Sequence, residues 1–271
     1  MRIARIEMNV MAPLAGRTTP APAPTAQAPA YDRFGATYQD WTESDSPYRA
    51  IELYSFLTAV GDVDGLRVLD LATGEGRIAR LLARRGAAAL LGTDLSPEMV
   101  RRAQAQQDTD GIGTDRLRFA VLDATDPHFA LPVQVDLVTA MYLLPYAATE
   151  AALQAMFALA ERNLRPGGRL VAYTASPDYD FRRPDPRLRS HCGFDYRAAE
   201  GNRVELVIAG QHVDVWQWDR DTHARALEAA GLSELRWHPL RCPPQRPGLA
   251  AEMAFYLSDP SCIVLSACKP D

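Results

Sequence analysis

The sequence predicts an α/β protein with a doubly wound, mostly parallel sheet and an antiparallel cap inserted after the fifth strand. Three observations carry this expectation. Arg67 to Ala83 joins an apolar run to a Gly-containing turn and an amphipathic helix start. Further short apolar runs at 88–94, 116–121 and 135–141 leave room for helices between them, the rhythm of crossover units. Residues 194–216 instead alternate apolar and polar, with turn residues at 200–202 and 209–210, as hairpins do.

The elements follow in order. Val68, Leu69 and Leu71 form a strand buried on both faces, and Ile78, Leu81 and Leu82 recur at helical spacing behind the turn. Ala88 to Asp94 is the second strand, and Ser96 and Pro97 are the N-cap and first position of the next helix. Arg116 to Val121 and Val135 to Met141 are the third and fourth strands, and Leu164 to Leu170 is the turn into the fifth. The insert from 176 to 218 begins as a Pro- and Arg-rich loop and continues as strands Phe194 to Ala198, Arg203 to Ile208 and Gln211 to Trp216. Asp221 to Ala230 is a helix ended by Gly231, Glu234 to Pro239 an edge strand, and Ser261 to Ala267 the last strand. The organisation expected is a disordered tail over 1–30, an N-terminal helical lid over 31–61, and a main domain over 62–271 that carries the cap at 176–218. Residues 12–30 are rich in Pro, Ala and Thr and bury too little to offset the entropy of ordering.

Composition narrows the function. A net charge of −5 argues against a general nucleic-acid binder, so the target is expected to be a small molecule. The four cysteines lack Cys-x-x-Cys spacing, which suits reduced thiols in a cytoplasmic protein and neither a disulfide framework nor a metal site. No apolar stretch reaches the roughly 18 residues of a membrane span, and the first 30 residues hold no uninterrupted signal core. A monomer or homodimer without nucleic-acid or membrane partners is expected.

The turn after the first strand tells what is bound. Ala72, Gly74 and Gly76 let the backbone bend and approach a ligand, and the helix start behind them offers unpaired N–H donors. Gly74, Gly76 and Ala79 also spell Gly-x-Gly-x-x-Ala, the dinucleotide fingerprint, with an acid at Asp94. Asp70 decides against it, because a carboxylate ending the strand repels pyrophosphate and suits a cationic ammonium. The pattern Asp70-x-Ala72-x-Gly74-x-Gly76 resembles the first motif of class I S-adenosylmethionine-dependent methyltransferases, whose fold is Rossmann-like. The terminal Asp94 with Leu95 to Met99, the Asp123-Ala124 pair, the strand ending Ala140-Met141 and Leu164-Arg165-Pro166-Gly167-Gly168 match later motifs in the same order. Ala72 departs from the family's more frequent Gly.

This resemblance implies that S-adenosylmethionine is the cofactor. Its contacts would be Asp70 to the amino group, Ala72, Thr73, Gly74 and Gly76 at the turn, Asp94 to the ribose hydroxyls, and Asp123 and Ala124 to the adenine, with Leu95, Met99, Ala140 and Met141 also lining the cofactor. Tyr31 and Tyr38 would fold over it, where an aromatic face stabilises a sulfonium by roughly 0.5 to 2 kcal/mol. Over Tyr31 to Lys269 the chain is similar to a bacterial small-molecule branch that includes toxoflavin biosynthesis enzymes, on the strength of Tyr31-Asp32, Tyr142-Leu143-Leu144-x-Tyr146-Ala147 and the insert ending in Trp218.

Methyl transfer from a sulfonium releases a neutral leaving group, so positioning supplies much of the rate and no acid is needed. Tyr142 and Tyr146, leaving the carboxyl end of the fourth strand, are expected to line the acceptor pocket with Tyr179, Phe181, His191, His212, Trp216 and Trp218. His191 is the candidate base, set against a plain loop histidine. His223 is assigned to the outer face of its helix. The expected activity is methyl transfer to N, O or activated C of a small planar secondary metabolite. The alternatives are a cofactor-retaining cyclase or scaffold and an NAD-linked oxidoreductase.

Overall fold

The computed structural model describes residues 45–208 and 210–271. The tail expected over 1–30, the first part of the helical segment, and Tyr31 and Tyr38 lie outside the described residues. The helix α1, Pro47–Val60, starts on the Ser46 side chain, which accepts from the Arg49 N–H.

A seven-stranded sheet is built from β1 (Arg67–Leu71), β2 (Ala89–Asp94), β3 (Leu117–Val121), β4 (Val135–Met141), β5 (Leu164–Ala175), β9 (Ser233–His238) and β10 (Cys262–Cys268), in the order β3-β2-β1-β4-β5-β10-β9. The first five strands pair in parallel, and β10 runs antiparallel to both its neighbours. Helices α2 (Arg77–Arg84), α3 (Pro97–Asp110), α4 (Glu150–Asn163) and α5 (Arg220–Ala229) connect the strands. Ser96, Thr149 and Asp219 cap α3, α4 and α5 through side-chain oxygens that accept N–H groups otherwise left orphaned. Two apolar clusters form the core. One contains Phe56, Val68, Leu82, Leu117 and Tyr173, and the other Leu69, Leu71, Phe157, Leu170 and Leu265.

Strand order reverses between β1 and β4, the place where an open α/β sheet leaves a crevice at its carboxyl edge. After β5 the chain enters the second sheet, an antiparallel meander of β6 (Phe194–Ala198), β7 (Arg203–Ile208) and β8 (Gln211–Trp216). Gln217 Nε2 clasps the two ends of this cap by donating to the carbonyls of Ser176 at 2.6 Å and Tyr179 at 2.7 Å. The predicted strand boundaries hold to within a residue or two.

Candidate active site

The end of β1 shapes one side of the crevice. Asp70 pairs across the sheet with Thr139 on β4 and Gly92 on β2. It is fully buried, and the hydroxyls of Thr139 and Thr73 each donate to its carboxylate at 2.6 Å. Burial pushes its carboxyl up to about 6, although the two hydroxyl donors oppose the shift. Ala72, Gly74 and Gly76 all take positive φ, at 52°, 55° and 77°. A Cβ on Gly74 would meet nothing within 4 Å, so this glycine borders empty space. Gly76 serves a different purpose. A Cβ there would stand 2.5 Å from the Phe119 ring, and so would block helix–sheet packing.

Asp94, at the end of β2, accepts the Gly74 N–H at 2.8 Å and the Ser96 N–H at 2.9 Å. These bonds fix the carboxylate between the turn and the start of α3. On the other side of the turn, a cleft is lined by Asp70, Ala72, Thr73, Gly74, Met141 and Tyr142 together with Arg49 and Glu52 of α1. Arg49 and Glu52 are buried and ion-paired, three residues apart on one helix face.

A second cavity lies between α1, the end of β5, the start of β10 and the cap. Its wall is apolar apart from the hydroxyls of Tyr48, Tyr142, Tyr146 and Ser261 and the thiol of Cys262. Phe181, Phe194, Leu206, Ile208 and Val215 close it from the cap side. Tyr142 lines both spaces, at φ 64°, with its ring edge against Tyr173 at 5.1 Å. Holding a bulky residue in the left-handed region costs energy, and here it turns the side chain onto the boundary between the two spaces.

Residues 68–168 match the model of the methyltransferase domain family. The chain carries a methyltransferase domain with the class I fold, and S-adenosylmethionine is its methyl donor. It is 26% identical over 225 residues to the ubiquinone biosynthesis O-methyltransferase of Leptothrix cholodnii, covering 76% of this chain and 88% of that one. It is 28% identical over 149 residues to the enzyme of that name from Xanthomonas euvesicatoria, which covers 53% of this chain and 59% of that one. The solved S-adenosylmethionine-dependent methyltransferase of Mesorhizobium loti shares the fold, with a TM-score of 0.59 at 24% identity over 81% of this chain and 98% of that one. The oxidoreductase alternative is thereby set aside, as Asp70 indicates on charge alone.

The cleft of this methyltransferase fits its cofactor S-adenosylmethionine. A buried carboxylate, Asp70, and a buried guanidinium, Arg49, face one cleft and suit the ammonium and carboxylate of the methionyl part. Gly74 leaves room for that part without a side chain in the way. Bound S-adenosylmethionine supplies a methyl group activated by a sulfonium. Asp70 and Arg49 would hold its charged ends, and Tyr142 would stand between it and the neighbouring cavity.

The structure brings together only some of the expected site residues. Asp70, Ala72, Thr73, Gly74, Met141 and Tyr142 meet in the cleft. Ala140 is buried in β4 behind it. Met99 is buried in the core, its N–H donated to Ser96, and Leu95 is half-buried beside Asp94. Asp123 turns its carboxylate onto the N–H and hydroxyl of Thr125, with half-buried Ala124 following it after β3.

Tyr142, Tyr146 and Phe181 line the second cavity, and Tyr179 stands behind Phe181 with ring centroids 4.8 Å apart. Strand alternation separates His212 and Trp216 from it. Val213 and Val215 are the buried side chains of β8, whereas His212 is exposed and Trp216 half-buried at the alternate positions. Trp218 instead donates its indole N–H to the Ala147 carbonyl at 2.9 Å and packs on the second core cluster. His191 lies in a single π turn, Leu188–Cys192. Its Nδ1 is 2.7 Å from Ser190 Oγ, its ring sits edge-on to Phe255 at 5.2 Å, and it lines neither space. His223 is not on an outer face: it is buried, with Nδ1 2.9 Å from the Asp219 carbonyl and its ring against Trp237.

Sequence reasoning missed Tyr48, Arg49 and Glu52. The available signal was a charged pair three apart inside an otherwise apolar helix, a pattern that an exposed helix pair also produces.

Proposed function

We propose that this methyltransferase transfers a methyl group to N, O or activated C of a small, planar, ring-bearing secondary metabolite. The single observation that carries this reading is the largely apolar cavity that shares the Tyr142 wall with the cofactor cleft. A cavity with this lining suits a flat ring sandwiched among aromatic and aliphatic side chains. The names of the relatives, O-methyltransferases of ubiquinone biosynthesis, support oxygen among the possible acceptor atoms. The inward side chains of the cap, Leu206, Ile208 and Val215, set the size of the acceptor, so the insert rather than the sheet selects it. The enzyme is read as a cytoplasmic monomer or homodimer; among the described residues no helix is long and apolar enough to cross a membrane.

Incubation of methyl-labelled S-adenosylmethionine with a panel of phenols, enols and ring-nitrogen heterocycles tests the proposal. Label is expected on one group of flat ring compounds and is expected to disappear in Ile208→Trp, which fills the cavity, while binding of S-adenosylhomocysteine persists. Transfer only to protein or RNA, or full turnover in Ile208→Trp, sinks the reading.

A further inference from the structure

We infer that the acceptor cavity selects a protic nucleophile, a phenolic or enolic O–H or a ring N–H, and that Tyr48 is the residue that reads it. The inference rests on the planar-acceptor reading and narrows it.

The argument is a proton count along one chain of oxygens. Tyr142 Oη lies 2.8 Å from Glu52 Oε2 and 2.6 Å from Tyr48 Oη. Each contact is short enough to require a proton between its oxygens. Glu52, ion-paired with Arg49, presents a carboxylate that can only accept. The proton in the first contact therefore belongs to Tyr142. Its own proton being committed, Tyr142 can only accept in the second contact, so that proton belongs to Tyr48. Arg49 Nη1, 3.5 Å from Tyr142 Oη, is a further donor and cannot reverse this order.

The consequence appears at the end of the chain. Tyr48 lines the acceptor cavity, and its hydroxyl proton is committed to Tyr142. What the phenolic oxygen has left to offer is a lone pair. Cys262, which also borders the cavity and touches the Tyr48 hydroxyl, brings only a weak thiol donor that an O–H or N–H displaces from the Tyr48 oxygen. An acceptor molecule bearing O–H or N–H satisfies the Tyr48 oxygen and is oriented by it. A carbonyl or ether oxygen at the same place meets lone pair with lone pair and leaves two buried acceptors unsatisfied. Burial keeps the assignment firm. Tyr48 is fully buried, wedged between Phe194 at 5.7 Å and Tyr256 at 5.2 Å, and desolvation holds the Tyr48 and Tyr142 hydroxyls well above the ordinary phenol range.

The test is calorimetry on the full chain loaded with S-adenosylhomocysteine, with 1-naphthol and its O-methyl ether, 1-methoxynaphthalene, as probes. In the natural protein the naphthol is expected to bind about tenfold more tightly, one neutral hydrogen bond's worth. In Tyr48→Phe the two affinities should converge to within about twofold, with binding of the ether little changed. Tyr142→Phe supplies an independent arm should Tyr48→Phe fail to fold. Without an oxygen at position 142 the Tyr48 proton is released to point into the cavity, and the preference for the naphthol should vanish or invert in favour of the ether. Equal binding of the two probes to the natural protein, or a preference that survives both substitutions, overturns the inference and leaves the planar-acceptor reading standing. Failure of both probes to bind overturns the planar-acceptor reading and the inference with it.

Discussion

The Gly74 amide donates to Asp94 Oδ2 across 2.8 Å, joining the turn after the first strand to the acid that ends the second. One residue of the motif thus fixes another before any ligand arrives. The carboxylate braces the turn, and we propose that it also accepts from the ribose hydroxyls. Replacing Asp94 with Ala should cost about 1.5 to 3 kcal/mol of S-adenosylmethionine affinity, the value of hydrogen bonds to a charged acceptor. It should also loosen Gly74. Calorimetry reads the first effect, and faster amide exchange at Gly74 and Ser96 the second; unchanged affinity would remove Asp94 from the site.

The two glycines of the turn should fail in different ways. Gly74→Val places a side chain in the cleft, so cofactor binding is lost while circular dichroism still reports a folded chain, apart from the strain of a β-branched residue at φ 55°. Gly76→Ala meets the Phe119 ring and should lower thermal stability before it affects binding. If Gly74→Val binds normally, the turn does not approach the ligand.

Ala72 holds a left-handed conformation at φ 52°, which a glycine adopts freely. Ala72→Gly is expected to stabilise the protein by up to ~1 kcal/mol, the relief of Cβ strain less the entropy gained by the unfolded chain. Thermal unfolding checks it. A clear fall in melting temperature would show that the methyl group packs usefully against the second core cluster.

Asp70 links the site to pH. Its folded-state carboxyl sits at about 6, raised by burial above its ordinary value of about 3.9. Above pH 6 it is ionised in both folded and unfolded chains, and the unliganded fold carries the full desolvation penalty. That penalty, ~3 kcal/mol at most, is relieved as pH falls from 6 towards 4. Cofactor binding has the opposite sign, because the ammonium needs the ionised form, so affinity should weaken up to tenfold per pH unit below 6. Asp70→Asn should therefore melt higher than the natural protein at pH 7 without ligand, yet bind S-adenosylmethionine poorly. A variant that melts lower and binds well contradicts the assignment on both counts.

His191→Ala should lower turnover by less than the roughly 100-fold expected of an obligatory general base, because the ring packs on Phe255 away from both spaces. A loss above about 1000-fold would show that the π turn moves into the site during catalysis.

Local chemistry made much of this protein legible from its residues. Apolar runs buried on both faces, the Ser96-Pro97 helix start and the alternation of 194–216 specify strands, helices and hairpins because each rests on neighbours a few positions away. Asp70 and the turn behind it were legible for the same reason: an acid at the strand end favours an ammonium over a pyrophosphate, and the local motif carried the resemblance that implied the cofactor. Which face of β8 turns inward was settled only by packing. Valines 213 and 215 bury more readily than His212 and a half-polar Trp216, and a strand has just two faces to divide among them. The oxygen chain from Glu52 through Tyr142 to Tyr48 was likewise decided by tertiary structure, since it joins α1 to the end of β4 across 90 or more positions, and no local pattern constrains groups that far apart.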